Sequence, residues 1–213
     1  MIHALATSGL LAADGWQAPA IDWHAIAPEL ILAIGINLIL AADLMLEGAK
    51  KWMIATLSGI VLLAAVIPVV TLAVSSEPAR SLFDGRFVVD DFALIFKALF
   101  LLAGYVVILM SQTELEEGNY YQGEFYVLLL CSILGMVMLP SSRDLISVFI
   151  AFELLSIPGY MLGAWRKRDS KSNEAGMKYL LIGVFASGVM LYGMSILFGS
   201  AGSMRLADIA AVI

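Results

Sequence analysis

Long uncharged stretches dominate the chain. Trp52 to Ser76, Phe125 to Ser142 and Tyr179 to Met204 contain no Asp, Glu, Lys or Arg. A run of about 20 apolar residues is the length of a bilayer-spanning helix. The pattern predicts six such helices, roughly at 28–46, 52–75, 90–110, 123–140, 143–165 and 173–199. Proline or charge punctuates most of the gaps. Pro28 opens the first helix, EPAR at 77–80 follows the second, and PSSRD at 140–144 makes a very tight turn between the fourth and fifth. No soluble domain fits between the helices, so the expected fold class is all-α, a polytopic membrane helix bundle.

Composition agrees. Of 213 residues, 61% are hydrophobic and 14% charged, against about 25% charged in a soluble domain, and mean hydropathy is +0.93. A net charge of −6 argues against nucleic acid as a partner, which needs clustered basic surface. Cys131, the single cysteine, lies in an apolar run and reads as a small packing residue. The N-terminal MIHALATSGLLAADGW lacks a basic segment and does not read as a cleaved signal peptide. Basic residues in the loops bias orientation. One alternate set of loops holds Lys50, Lys51, Arg166, Lys167, Arg168 and Lys171, and the other Arg80, Arg86, Arg143 and Arg205. The concentrated WRKRDSK at 165–171 places that loop in the cytoplasm and the N-terminus outside.

Against this background a few charges stand out. Glu153 falls nine residues after Asp144 and twelve before Trp165, a plausible interface anchor. It therefore sits roughly 14 Å along its helix and close to the midplane. An acidic group there costs on the order of 2.5–3.5 kcal/mol on insertion scales, and such residues mark ion or proton paths. Burial favours the neutral carboxyl and a nearby cation the charged one, so a group held between them changes protonation state cheaply. The alternative is a neutral carboxyl acting as packing glue. Pro158 removes an N–H, leaves the Leu154 carbonyl without its intrahelical partner and predicts a kink beside Glu153. Prolines are also common in membrane helices without any such role.

Lys178, in SNEAGMKYLL, lies roughly 9 Å into a helix that Ser172 or Asn173 would cap. Snorkelling or an i, i+4 pair with Glu174 explains it equally well. Lys97, in DDFALIFKALFL, lies a similar distance from the outer face, and snorkelling is again a fair explanation. Asp90 and Asp91 mark the outer boundary, Asp43 an inner one. Asn37 reads as interhelical hydrogen-bonding glue, and His3 and His24 as solvated. The sequence holds no phosphate loop, zinc spacing, haem ligand pair or nucleophile triad. Chemistry on a substrate is not written in it.

Four blocks carry a resemblance: DDFALIFKALFLLAG at 90–104, GEFYVLLLCSILGMVML at 123–139, RDLISVFIAFELLSIPGYMLGAW at 143–165 and SNEAGMKYLLIGVFASGVMLYGMSILFGSAG at 172–202. Their order and spacing, with 25 residues from Glu153 to Lys178, resemble the antiporter-like membrane subunits of the proton-pumping type I NADH–quinone oxidoreductase (respiratory complex I), the subunit N type above its sisters. The resemblance runs from about Pro28 to nearly the end. It implies a proton-translocating membrane-arm subunit of a bacterial inner membrane, with other membrane subunits of the complex and the lipid bilayer as partners. FMN, iron–sulfur clusters and quinone would belong to or act with other subunits, leaving no cofactor or metal here.

The resemblance also implies site residues. Glu153 matches a fifth-helix glutamate of the charged axis along the midplane, Lys178 the sixth-helix lysine, and Lys97 a third-helix lysine. It divides the chain into an outward segment at 1–27, three helices at 28–110, the first three helices of an antiporter-like repeat at 111–199, and a closing segment at 200–213. The family has about fourteen helices, so the chain is expected to be an N-terminal portion that does not conduct protons alone. RLADIAAVI at 205–213 looks like the start of a further element. Two alternatives stay open: a subunit of a multi-component sodium/proton antiporter, and a membrane scaffold in which Glu153 only packs.

Overall fold

The computed structural model describes residues 21–45, 52–75, 79–117, 122–166 and 168–212. In chain order the elements are α1 (Ala27–Met45), α2 (Trp52–Val74), β1 (Arg80–Leu82), β2 (Phe87–Val89), α3 (Asp91–Glu117), α4 (Gln122–Met138), α5 (Leu145–Gly163), α6 (Ser170–Ala201) and α7 (Leu206–Val212), with a 3-10 turn at Leu139–Ser141 before α5. Six of the helices, α1 to α6, are long and apolar enough to cross a membrane. The apolar runs alone fix these elements, because a spanning segment must satisfy its backbone internally.

α4 is the central helix, packing against α1, α2, α3 and α5. Its Tyr126, Leu130, Ile133 and Val137 are all fully buried and recur every three or four residues, forming one stripe that points into the bundle. Leu32, Ile39, Ile54, Leu62 and Leu101 pack from the surrounding helices. Small residues let the helices close up. Gly135 of α4 lies against the α5 backbone, where an added Cβ would stand 2.5 Å from the Leu155 nitrogen and 2.7 Å from the Ala151 oxygen. Between spanning helices, such close packing and interhelical hydrogen bonds supply the association energy.

The connections gather at two ends. At one, the β1–β2 hairpin pairs Arg80 with Val89, Ser81 with Val88 and Leu82 with Phe87. Its turn puts Phe83, Asp84 and Gly85 at positive φ, a conformation an ordinary side chain adopts only when its surroundings enforce it. The Arg143 N–H donates to the Arg86 carbonyl at 2.8 Å, and the Leu145 N–H to the Met204 carbonyl at 3.0 Å. The hairpin, the α4–α5 turn and the segment entering α7 thus form one polar cap. The hairpin was not legible in the sequence, its strands being only three residues each. The RLADIAAVI tail does form a short helix, α7, as its spacing predicts.

Helix ends follow local chemistry. Asp144 caps α5, accepting from the Ile146 and Ser147 amides at 3.0 Å each. α6 begins at Ser170 under an Asp169 cap, three residues earlier than 173 and not at Ser172 or Asn173. Gly202 closes α6 at φ 67°, its N–H donating to the Phe198 carbonyl at 2.8 Å.

Candidate functional site

Glu153 is the ninth of the nineteen residues of α5. It is half-buried, and its Oε1 is buried with no hydrogen-bond partner among the described residues. No cation of the described residues lies within ion-pair distance of it. α5 continues through Pro158 as one helix. Immediately beside Glu153, the Ser132 hydroxyl of α4 donates to the Leu155 carbonyl at 2.5 Å, and Gly135 meets the backbone of Ala151 to Leu155. α4 therefore fixes the stretch of α5 that carries the carboxylate.

Lys97 does not snorkel. It is fully buried in α3, and its ammonium lies 2.7 Å from Glu29 Oε1 of α1. The Phe87 ring of β2 covers it at 5.0 Å from the centroid, a cation–π contact. Snorkelling is the expected outcome for a lysine at this depth facing lipid. Here α3 turns Lys97 inward, where the stem cannot reach water and a counter-ion is required. Three elements thus converge on one buried charge pair.

Lys178 behaves differently. It is exposed on α6 and pairs with Glu174 at 2.5 Å, one helical turn away. The structure brings it near neither Glu153 nor Lys97 by any ion pair. α6 is the least enclosed helix, with Gly176 its one buried residue, and it rests on α5 through the edge-on Tyr160–Tyr179 contact at 4.9 Å. Asn37 also departs from expectation. It is exposed and donates to the Ala33 carbonyl of its own helix at 2.8 Å, so it links no two helices among the described residues. His24 is exposed as expected and contacts the Thr71 hydroxyl at 2.8 Å; His3, Lys50 and Lys51 lie outside the described residues.

The remaining charges belong to the two ends. Arg143 binds Asp90 at 2.8 Å, Arg80 binds Asp22 at 2.8 Å, and Arg205 binds Asp208 at 3.0 Å. Partial burial works to raise the Asp22 carboxyl, but hydrogen bonds from Arg80 and the amides of Ala25 and His24, with the Arg80 charge, hold it below the ordinary range. The Ser203 hydroxyl and then Arg205 do the same for Asp208. At the opposite end Arg166 meets Glu114 at 3.1 Å, both exposed. A cleft of about 270 Å³ lined by Phe125, Leu162 and Trp165 opens there, away from Glu153. Among the described residues no cluster of His, Cys, Asp or Glu is arranged to hold a metal.

Sequence reasoning missed Glu29, Ser132 and Gly135. Glu29 follows Pro28 in the first turn of a helix, where an acid is ordinarily explained by the helix dipole. The available signal was depth: Glu29 and Lys97 lie within the first two turns of helices starting at the same end.

Residues 142–213 match the family model described as NADH:quinone oxidoreductase/Mrp antiporter, TM. The chain is 36% identical over 192 residues to NAD(P)H-quinone oxidoreductase subunit 2 of Gloeobacter violaceus, covering 90% of this chain and 37% of that protein. It is 35% identical over 193 residues to NADH-quinone oxidoreductase subunit N of Trichlorobacter lovleyi, covering 91% and 39%. Among solved structures it resembles a chain of respiratory complex I from Thermus thermophilus with bound aureothin, with a TM-score of 0.65, 28% identity, and 84% and 38% covered. A chain of an archaeal membrane-bound sulfane sulfur reductase superposes with a TM-score of 0.77 at 18% identity over 88% and 39% of the two chains, a likeness of fold alone. The chain spans less than two fifths of the length of these curated relatives.

Proposed function

Since this chain belongs with the antiporter-like membrane subunits typified by NADH-quinone oxidoreductase subunit N, we propose that it forms part of the proton-translocating membrane arm of such a complex. Proton movement there is coupled to quinone reduction carried out elsewhere. The observation that carries this reading is Glu153, a carboxylate at the middle of a spanning helix with a buried oxygen that has no hydrogen-bond partner among the described residues. Placing it costs several kcal/mol without a return in packing. Its helix is pinned by Ser132 and Gly135 while Pro158 frees a carbonyl one residue away, a setting suited to a proton relay.

In this reading Glu153 takes up and passes on the proton. Lys178, on the open face of α6, presents a cation toward the rest of the protein or complex, and Lys97 holds a further buried positive charge. The partners are other membrane subunits of the complex and the lipid bilayer. FMN, iron–sulfur clusters and quinone act in or with other subunits. The membrane is the bacterial inner membrane, with the N-terminus outside and the 165–171 loop in the cytoplasm. The supporting observation is the six basic residues on that side against four on the other. A second reading, a subunit of a sodium/proton antiporter, is favoured by the matched family description, which names both classes.

Glu153→Gln in the complete complex tests the role. Assembly and NADH-driven quinone reduction are expected to persist while protons pumped per NADH fall. Undiminished pumping overturns the relay. Sodium-dependent exchange without any quinone-linked activity selects the second reading.

A further inference from the structure

We infer that Glu29 and Lys97 form a second proton-holding site in the bundle, separate from Glu153, in which Glu29 sets the charge that Lys97 carries. The inference rests on the reading of this chain as part of a proton-translocating arm.

The pair is built unlike a static lock. A buried ion pair is stabilising only when its remaining lone pairs and protons are also hydrogen-bonded. Glu29 Oε1 meets Lys97 Nζ at 2.7 Å, and its own first-turn amide faces the carboxylate. Among the described residues no other donates to either Glu29 oxygen, and both oxygens and the ammonium are shut away from solvent. An ammonium has three protons to place. Here one direction is taken by Glu29 and another is covered by the Phe87 ring. An acceptor oxygen and a donor proton are thereby left over, side by side, inside the bundle.

Those two vacant functions are what a relay step uses. A proton delivered by a protonated water chain binds Glu29 Oε2, leaving water behind, and makes a neutral carboxyl beside the ammonium. Lys97 then releases a proton to a second water molecule, breaking one N–H bond and becoming a neutral amine. Transfer of the carboxyl proton from Glu29 to Lys97 restores carboxylate and ammonium. One proton has entered, one has left, and the pair ends as it began. No redox partner is needed. The β1–β2 hairpin, tied down by Arg80–Asp22 and by Arg143 to the Arg86 carbonyl, holds Phe87 over the site.

Lys97→Arg distinguishes a relay from a lock. Arginine keeps the positive charge and the pairing with Glu29 but does not deprotonate in proteins. In the complete complex, in sealed inverted vesicles energised with NADH, the variant is expected to assemble and reduce quinone at the normal rate. Protons pumped per NADH should drop at least twofold. A static lock predicts wild-type pumping, and that result overturns the proposal. Should arginine prevent assembly, the charge-free pair Glu29→Gln with Lys97→Met decides in the same way: lowered pumping supports the site, and wild-type pumping overturns it. Glu153→Gln is run alongside. Loss of pumping with Lys97→Arg but not with Glu153→Gln defeats the Glu153 role and leaves this site standing; the converse defeats this site alone.

Discussion

Replacing Gly135 with alanine tests whether α4 fixes the part of α5 that carries Glu153. The new Cβ would stand 2.5 Å from the Leu155 nitrogen and 2.7 Å from the Ala151 oxygen, where ordinary contact begins at 3.4 Å. Both are backbone atoms of a continuous helix, so no rotamer change relieves the overlap. The helices must part locally by about 0.9 Å, the difference between ordinary and imposed contact. That stretches the 2.5 Å hydrogen bond from Ser132 to the Leu155 carbonyl toward the limit of useful geometry. Overpacking of this kind costs roughly 1–3 kcal/mol, and the weakened bond adds about 1 kcal/mol. At about 2–4 °C per kcal/mol for a chain of this size, unfolding of the detergent-solubilised protein should shift down by roughly 5–15 °C. Gly104→Ala is the matched control. The nearest atoms to its Cβ belong to the side chains of Ile133, at 2.5 and 3.1 Å, and Leu62, at 3.4 Å, rather than to backbone, and side chains yield more readily than a helix backbone, so the expected cost is the smaller, about 1–2 kcal/mol. Equal melting shifts for the two variants, read by intrinsic tryptophan fluorescence, refute the argument that α5 is held through its backbone.

Phe87→Leu removes the ring over Lys97 and should destabilise the protein by about 1–2 kcal/mol, with little further loss when Lys97 is already methionine; a double-mutant cycle on the melting transition checks this. Lys97→Met alone strands a buried carboxylate and should cost about 3–5 kcal/mol, most of it recovered when Glu29→Gln is added. Expression and melting of the four variants would contradict the pairing if the double change were merely additive. Asp22 is held below its unfolded value, so its contribution is complete above about pH 4 and is lost as pH falls through the lower, folded value. Amide protection factors in residues 80–89, taken relative to the intrinsic exchange rate at each pH, should therefore fall on acidification below that point, and Asp22→Asn should abolish the change. Because the Asp22–Arg80 pair is partly exposed, high salt should weaken it too.

The spans were legible because lipid imposes a one-dimensional rule. A stretch of about 20 apolar residues must be a helix when no water can satisfy its backbone, and all six predicted helices are present. Depth follows from the same counting, so Glu153 was recognisable as a mid-helix carboxylate from its distance to Asp144 and Trp165. Counting residues says how far along a helix a side chain lies but not which way it faces. Lys97 and Lys178 occupy similar depths from their helix starts, yet one is enclosed and paired with Glu29 while the other lies exposed beside Glu174. Facing is decided by which helices pack together, and apolar residues around all sides of these helices leave little periodic signal to reveal it. Nothing in the sequence therefore singled out Glu29, whose role shows only once α1 and α3 are side by side. Gly135 and Ser132 likewise carry no signal in the sequence, and their part is decided by α4 lying against α5. The sequence by itself determined that these helices span a membrane and how deep each charge lies; only the tertiary structure decided which charges meet, because contact between spanning helices depends on close packing at a few small residues.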